Sequence, residues 1–208
     1  MVVDVGGTRI GWLGYLEDAP GYNLYFRTFA VGGRVGCARL GADDVQEDVR
    51  RLRRHADLVF VSVHWGDNYR PVVDQQRRDA RMLADAGVDV VIGHHSHDVQ
   101  HVQWMGRTLV LYSLGNYAWG AIGSSKLRVG LIARLEIEPR RGQARARLRG
   151  AELLPIVTQN RIVKYQPRRV RGAQMRWLDP MLAASRAAGT ALEVDGTTIR
   201  IPLAGAER

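Results

Sequence analysis

The sequence predicts an α/β fold organised on a parallel sheet, and three observations carry that expectation. Two apolar runs, residues 58–63 and 88–92, have the nearly unbroken hydrophobic character of strands covered on both faces. Between them, residues 74–86 place Ala80, Leu83 and Ala84 on one helical face, with Gly87 as the C′ residue. Two buried strands joined by a helix pair in parallel through a right-handed crossover. Finally, each strand runs into a histidine motif: His64-Trp65-Gly66 after the first, Gly93-His94-His95-Ser96-His97 after the second. That is the carboxyl end, where open α/β sheets bind ligands. Five of the six histidines lie between Ala56 and Asn116, and only His55 falls outside.

Taken in order, residues 8–15 read as a strand after Gly6-Gly7, where a hairpin or bulge fits. Gly6-Gly7 lacks the Lys-Ser/Thr ending and the following helix of a phosphate loop. Residues 17–41 are turn-rich, with Pro20-Gly21 and Gly32-Gly33, and predict a loop with a short strand. A helix begins at Asp43: Val45, Val49 and Leu52 recur at helical spacing, acids come early, and Arg50, Arg51, Arg53 and Arg54 come late. Residues 106–112 predict another strand, ending at Ser113-Leu114-Gly115-Asn116. Residues 129–137 alternate like a half-exposed strand, with 143–154 as the antiparallel partner across 139–142. A short helix over 177–188 and a hairpin around Asp195-Gly196 complete the chain.

The expected organisation is one domain over residues 1–160 with a C-terminal extension, 161–208, packed on it. At 208 residues and 46% hydrophobic the chain has enough apolar material for one sizeable core. No window approaches the roughly 20 apolar residues of a membrane span, and the N-terminus has no signal-peptide pattern. Cys37 is alone, so no intrachain disulfide forms. The net charge of +9 is regional: residues 126–171 hold 13 Lys and Arg against three acids, Glu136, Glu138 and Glu152. Such a segment attracts an anionic polymer, acidic lipid head groups or nucleic acid, or is a solvated basic surface. Nucleic acid is the weakest of these, because no aromatic-interleaved or finger-type motif accompanies the charge.

Imidazoles beside glycine at strand ends reach a ligand without crowding. His95 and His97, two apart, converge from one loop, and His64 joins them from the neighbouring one. Three neutral imidazoles suit Zn, Mn, Fe or Co. Asp67 and Asn116 are candidates for orienting a ligand or a histidine, with plain turn roles as the alternative. Trp65 and Trp119 are candidates for cleft walls or for core.

Ser62-Val63-His64-Trp65-Gly66, then Gly93-His94-His95-Ser96-His97, then Tyr112-Ser113-Leu114-Gly115-Asn116-Tyr117 resemble, in order and spacing, three motifs of the CapA family. This is the poly-gamma-glutamate capsule-biosynthesis family of the calcineurin-like metallophosphoesterase superfamily, and the likeness covers about residues 2–160. It implies part of a four-layer α/β/β/α sandwich around a two-metal site. It also implies His64, His95 and His97 as ligands of a divalent metal (Mn, Zn or Fe); His94 stands where the family also accepts alanine and is the weaker candidate, a supporting residue beside Asp67 and Asn116. The family wording has Glu where this chain has Asn68, and Pro where it has Ser96. The Gly-Asp, Asn-Leu-Glu and Asn-His motifs that supply the family's remaining ligands are not found, so the chain is expected to lack the N-terminal half. Two functions follow as expectations. One is capsule or polyglutamate biosynthesis with a metallophosphoesterase-type site, beside cell-envelope biosynthesis proteins. The other is a non-catalytic remnant or interaction module binding an anionic polymer through residues 126–171. Family members are commonly membrane-anchored or extracytoplasmic, and this chain shows no anchor. Fewer strands on one side of the sheet also predict an exposed edge and self-association.

Overall fold

Backbone pairing turns the apolar runs into two sheets. The computed structural model describes residues 1–19, 21–22, 25, 27–118, 128–139 and 146–203. Trp119 therefore lies outside the described residues, as do Lys126, Arg140, Arg141 and Arg145 of the basic segment and most of the 139–142 turn.

The first sheet has six strands in the order β1-β2-β3-β4-β6-β5. Strand β1 (Val2–Val5) turns through Gly6-Gly7 and pairs antiparallel with β2 (Thr8–Leu16), so the expected hairpin is present. Helix α1 (Ala42–Leu52) carries the chain to β3 (Leu58–Trp65), and α2 (Asp74–Asp85) carries it to β4 (Val90–His95). Strands β2, β3 and β4 run parallel, with Leu16 beside His64 and Trp65 beside His95 in register. A hairpin of β5 (Val102–Met105) and β6 (Thr108–Leu111) completes the sheet, β6 lying parallel to β4.

The second sheet is antiparallel. Strand β7 (Val129–Glu138) pairs with β8 (Arg147–Val157), as the alternating pattern predicted. After the single turn α3 (Asn160–Val163), short β9 (Arg168–Arg169) pairs with β8. The predicted C-terminal helix is a 3-10 turn (Gly172–Leu178) leading into α4 (Asp179–Ala187), with Pro180 in its first turn. The last hairpin, β10 (Glu193–Asp195) and β11 (Thr198–Pro202), joins the sheet through β8.

Side-chain alternation in the strands divides the core. On one face of the first sheet, Val59, Val61, Val63 and Val91 pack on Val45 and Val49 of α1 and Ala80 and Leu83 of α2. On the other, Phe60, Val90, Leu109 and Leu111 pack on Leu131, Leu153, Ile199 and Ile201 of the second sheet. Leu178 and Met181 join that inter-sheet core. The molecule is thus mixed α/β, with helices, sheet and sheet in successive layers. No helix among the described residues is long and apolar enough to cross a membrane.

One expectation needs correction. The strands do not stop before the histidine motifs: β3 continues through His64 and Trp65, and β4 through His94 and His95. Polar residues at the strand ends stay paired because parallel register with a neighbour satisfies their backbone whatever the side chain.

Candidate functional site

The register that carries β3 and β4 past their apolar runs sets His64 directly beside His94. Side chains at 60, 62 and 64 on β3, and at 90, 92 and 94 on β4, share the face that looks toward the second sheet. Their rings meet: His64 Nδ1 lies 3.1 Å from His94 Nδ1, and His94 Nε2 lies 3.2 Å from Ser62 Oγ. His95 packs on His64 with ring centres 4.3 Å apart, and His97 follows 6.2 Å from His95. All four imidazoles therefore occupy one patch at the carboxyl edge of the sheet.

The backbone here is strained. His95 (φ 106°), His97 (φ 58°) and Tyr69 (φ 60°) are non-glycine residues at positive φ, a costly conformation that collects at ligand sites. Gly93 is required by space: a Cβ would stand 2.0 Å from the Tyr112 carbonyl oxygen and 2.3 Å from Trp65 Nε1. Trp65 is fully buried, donates Nε1–H to the Tyr112 carbonyl (2.8 Å) and stacks on its ring, so it is core and not a cleft wall.

Asn116 lies against a histidine of this patch. The 113–116 loop is stitched to the second sheet, Leu131 N–H donating to the Leu114 carbonyl (2.8 Å). That places Asn116 Oδ1 2.9 Å from His97 Nδ1. An amide oxygen only accepts, so His97 donates from Nδ1 and keeps the Nε2 lone pair for a ligand. Tyr69 stacks on the same ring at 5.7 Å. Asp67 is exposed and acts on His95 by charge alone, partly offsetting the other influences there.

Burial is the main electrostatic force at the site. It pushes the His64 pKa down to about 4, with help from the charges of His95, His94 and His97. His94 and His95 are lowered for the same first reason. Near neutral pH the His64 ring is thus uncharged, the form that donates to a metal. As placed, no three His, Cys, Asp or Glu side chains among the described residues close around one cation position.

Sequence reasoning missed Glu17. It follows β2, its N–H donates to the His64 carbonyl (3.0 Å), and its carboxylate accepts the Gly66 N–H (2.5 Å). Glu17 thereby clamps the backbone on both sides of Trp65. Parallel pairing of β2 with β3 would have pointed to it, but the turn-rich sequence after Leu16 hides that pairing. Residues 126–171 prove partly self-neutralised: Arg134 pairs with Glu152 (3.0 Å), and Arg147 and Arg149 pair with Glu138 (2.9 and 2.8 Å).

Comparison with known proteins agrees with the motifs. Residues 1–120 match the family model described as bacterial capsule synthesis protein PGA_cap. The PGA biosynthesis protein CapA of Bacillus subtilis (strain 168) is 39% identical over 72 residues, which is 34% of this chain and 19% of that protein. The capsule biosynthesis protein CapA of Bacillus anthracis is 27% identical over 121 residues, 56% of this chain and 28% of the relative. A probable polyglutamine synthesis accessory protein of Mycobacterium tuberculosis is 36% identical over 76 residues, 36% of this chain and 20% of the relative. The matched stretch thus spans less than a third of each relative's length. With more than half of its residues matched by one family model, the chain belongs to the bacterial capsule synthesis protein family.

Proposed function

We propose that this chain serves capsule or polyglutamate synthesis through a metallophosphoesterase-type site in which His64, His95 and His97 hold a divalent cation, Mn, Zn or Fe. The observation that carries this reading is the gathering of these imidazoles at the carboxyl edge of a parallel sheet, on strained backbone, with His97 hydrogen-bonded to Asn116. In donor chemistry the set suits a borderline divalent cation, which favours imidazole nitrogen. The layering of helices on one sheet and of that sheet on a second supports the reading of a calcineurin-like architecture.

When bound, the cation supplies Lewis acidity toward a phosphoryl oxygen and an activated water. The chain's own residues do the rest. Asn116 fixes the His97 tautomer, Glu17 holds the backbone around His64, and burial keeps His64 unprotonated.

The test is elemental analysis and Mn titration of purified protein, alongside turnover of an aryl phosphodiester. The expected result is one equivalent of metal, lost in the double variant His64→Ala/His95→Ala. Absence of stoichiometric metal in the wild type would sink the proposal. A second reading, a non-catalytic module, is favoured by one observation: Asp67, the acid beside His95, is exposed and makes no hydrogen bond among the described residues. Metal binding without turnover selects it.

A further inference from the structure

A cleft of about 580 Å³ opens beside the histidines, along the carboxyl end of β2. That is the size of a small-molecule site. Leu16, Tyr22 and Ala38 line it, together with Thr28, Ser62 and the pair His64 and His94. Among the described residues no Lys, Arg, Asp or Glu lines it. Nearby charged and polar groups are engaged elsewhere. The Tyr15 hydroxyl donates to Asp48 on α1 (2.9 Å), Arg39 pairs with Asp18 (3.6 Å), and Glu17 accepts from Gly66. Gly14 keeps the cleft open: a Cβ at this position would meet nothing within 4 Å, although strand backbone accepts any residue there.

We infer that this cleft receives the apolar alcohol portion of a phosphoester, an aryl or alkyl group, and not a polyanionic chain. Beyond any cation held at the His64 end, a carboxylate entering it would lose water without gaining a cationic side chain among the described lining residues, whereas an apolar group loses nothing that needs replacing. The inference rests on the phosphoesterase-type reading only for the phosphoryl end of the ligand; the apolar preference stands on the cleft itself. It gives the chain a division of labour, with the basic residues of the second sheet outside the reacting site.

The experiment uses the full chain without added metal and follows backbone amide resonances during titration with 2-naphthol and, separately, a γ-linked glutamate oligomer. We expect 2-naphthol to shift Leu16, Thr28 and Ala38, and Gly14→Leu to weaken its binding about tenfold while circular dichroism stays unchanged. The oligomer should leave those resonances in place. No shift with 2-naphthol, or oligomer shifts at the same amides that vanish in Gly14→Leu, would overturn the inference. A Mn titration on the same samples separates the two ideas. Naphthol binding without metal binding keeps the cleft and rejects the metal site, and metal binding without naphthol binding does the reverse.

Discussion

His94 sits between Ser62 and His64 in a hydrogen-bonded row, and the row decides which nitrogen His64 presents outward. If His64 Nδ1–H donates to His94 and His94 Nε2–H donates to Ser62, the His64 Nε2 lone pair is free; the reverse order places a proton there. The proposed metal site requires the first order. His94→Ala is therefore expected to weaken Mn or Zn binding about tenfold, the lower end for an outer-shell partner. The 15N shifts of His64 in metal-free protein should move with it, and unchanged shifts would refute the ordering. His101 gives a pH prediction away from that row. Burial, with a smaller push from Arg77, lowers its pKa to about 4, and its ring lies against Tyr112. The unfolded chain takes up this proton near pH 6.5 but the folded chain only near 4. This contribution is therefore complete above pH 6.5 and is lost as the pH falls toward 4. His101→Phe should flatten the fall in urea midpoint across that window, leaving the share due to His64. An unchanged slope would refute it.

Elements were legible where hydrophobic period and turn residues agreed. Strands β3 and β4, helix α2 and the β7–β8 pair follow patterns that local residues impose. Their ends were not legible, because His64, His94 and His95 carry no apolar signal and are held in strands by neighbours far along the chain. The same holds for residues 17–41, whose anchors are distant: Leu16 bridges to Arg39, and the Glu17 N–H donates to the His64 carbonyl. Gly93 tests how tightly β4 is set. Any Cβ collides with the Tyr112 carbonyl and with Trp65, so Gly93→Ala must push β4 away from β6 or tilt the buried indole. The expected loss is about 3 kcal/mol, the upper range for overpacking, read as a lower urea midpoint with unchanged m-value. A loss within about 0.5 kcal/mol, typical of surface changes, would mean that the strand gives way easily.

At the scale of the whole molecule, the first sheet has two edges in different states. The β5 edge is covered: Val102 N–H donates to Ser185 Oγ (3.0 Å) and Trp104 N–H to Thr190 Oγ1 (3.2 Å), so α4 and the turn after it occupy the groups another strand would seek. The exposed edge expected from the sequence is at β1. All four of its residues are exposed, including Val2 (42%), Val3 (38%) and Val5 (56%). Asp4, the acid in this strand, is turned to the Gly7 N–H (2.9 Å). An apolar edge strand with no lysine or proline is a template for pairing with another chain. We expect purified protein to self-associate with rising concentration in sedimentation velocity, and Val3→Lys to return it toward monomer. The lysine acts by placing a solvated charge where a second strand would dock, so the variant should keep the wild-type urea midpoint to within about 0.5 kcal/mol. A wild-type protein that sediments as one sharp monomer at every loading would mean the β1 edge protects itself. Association that persists in Val3→Lys would move the contact to another face.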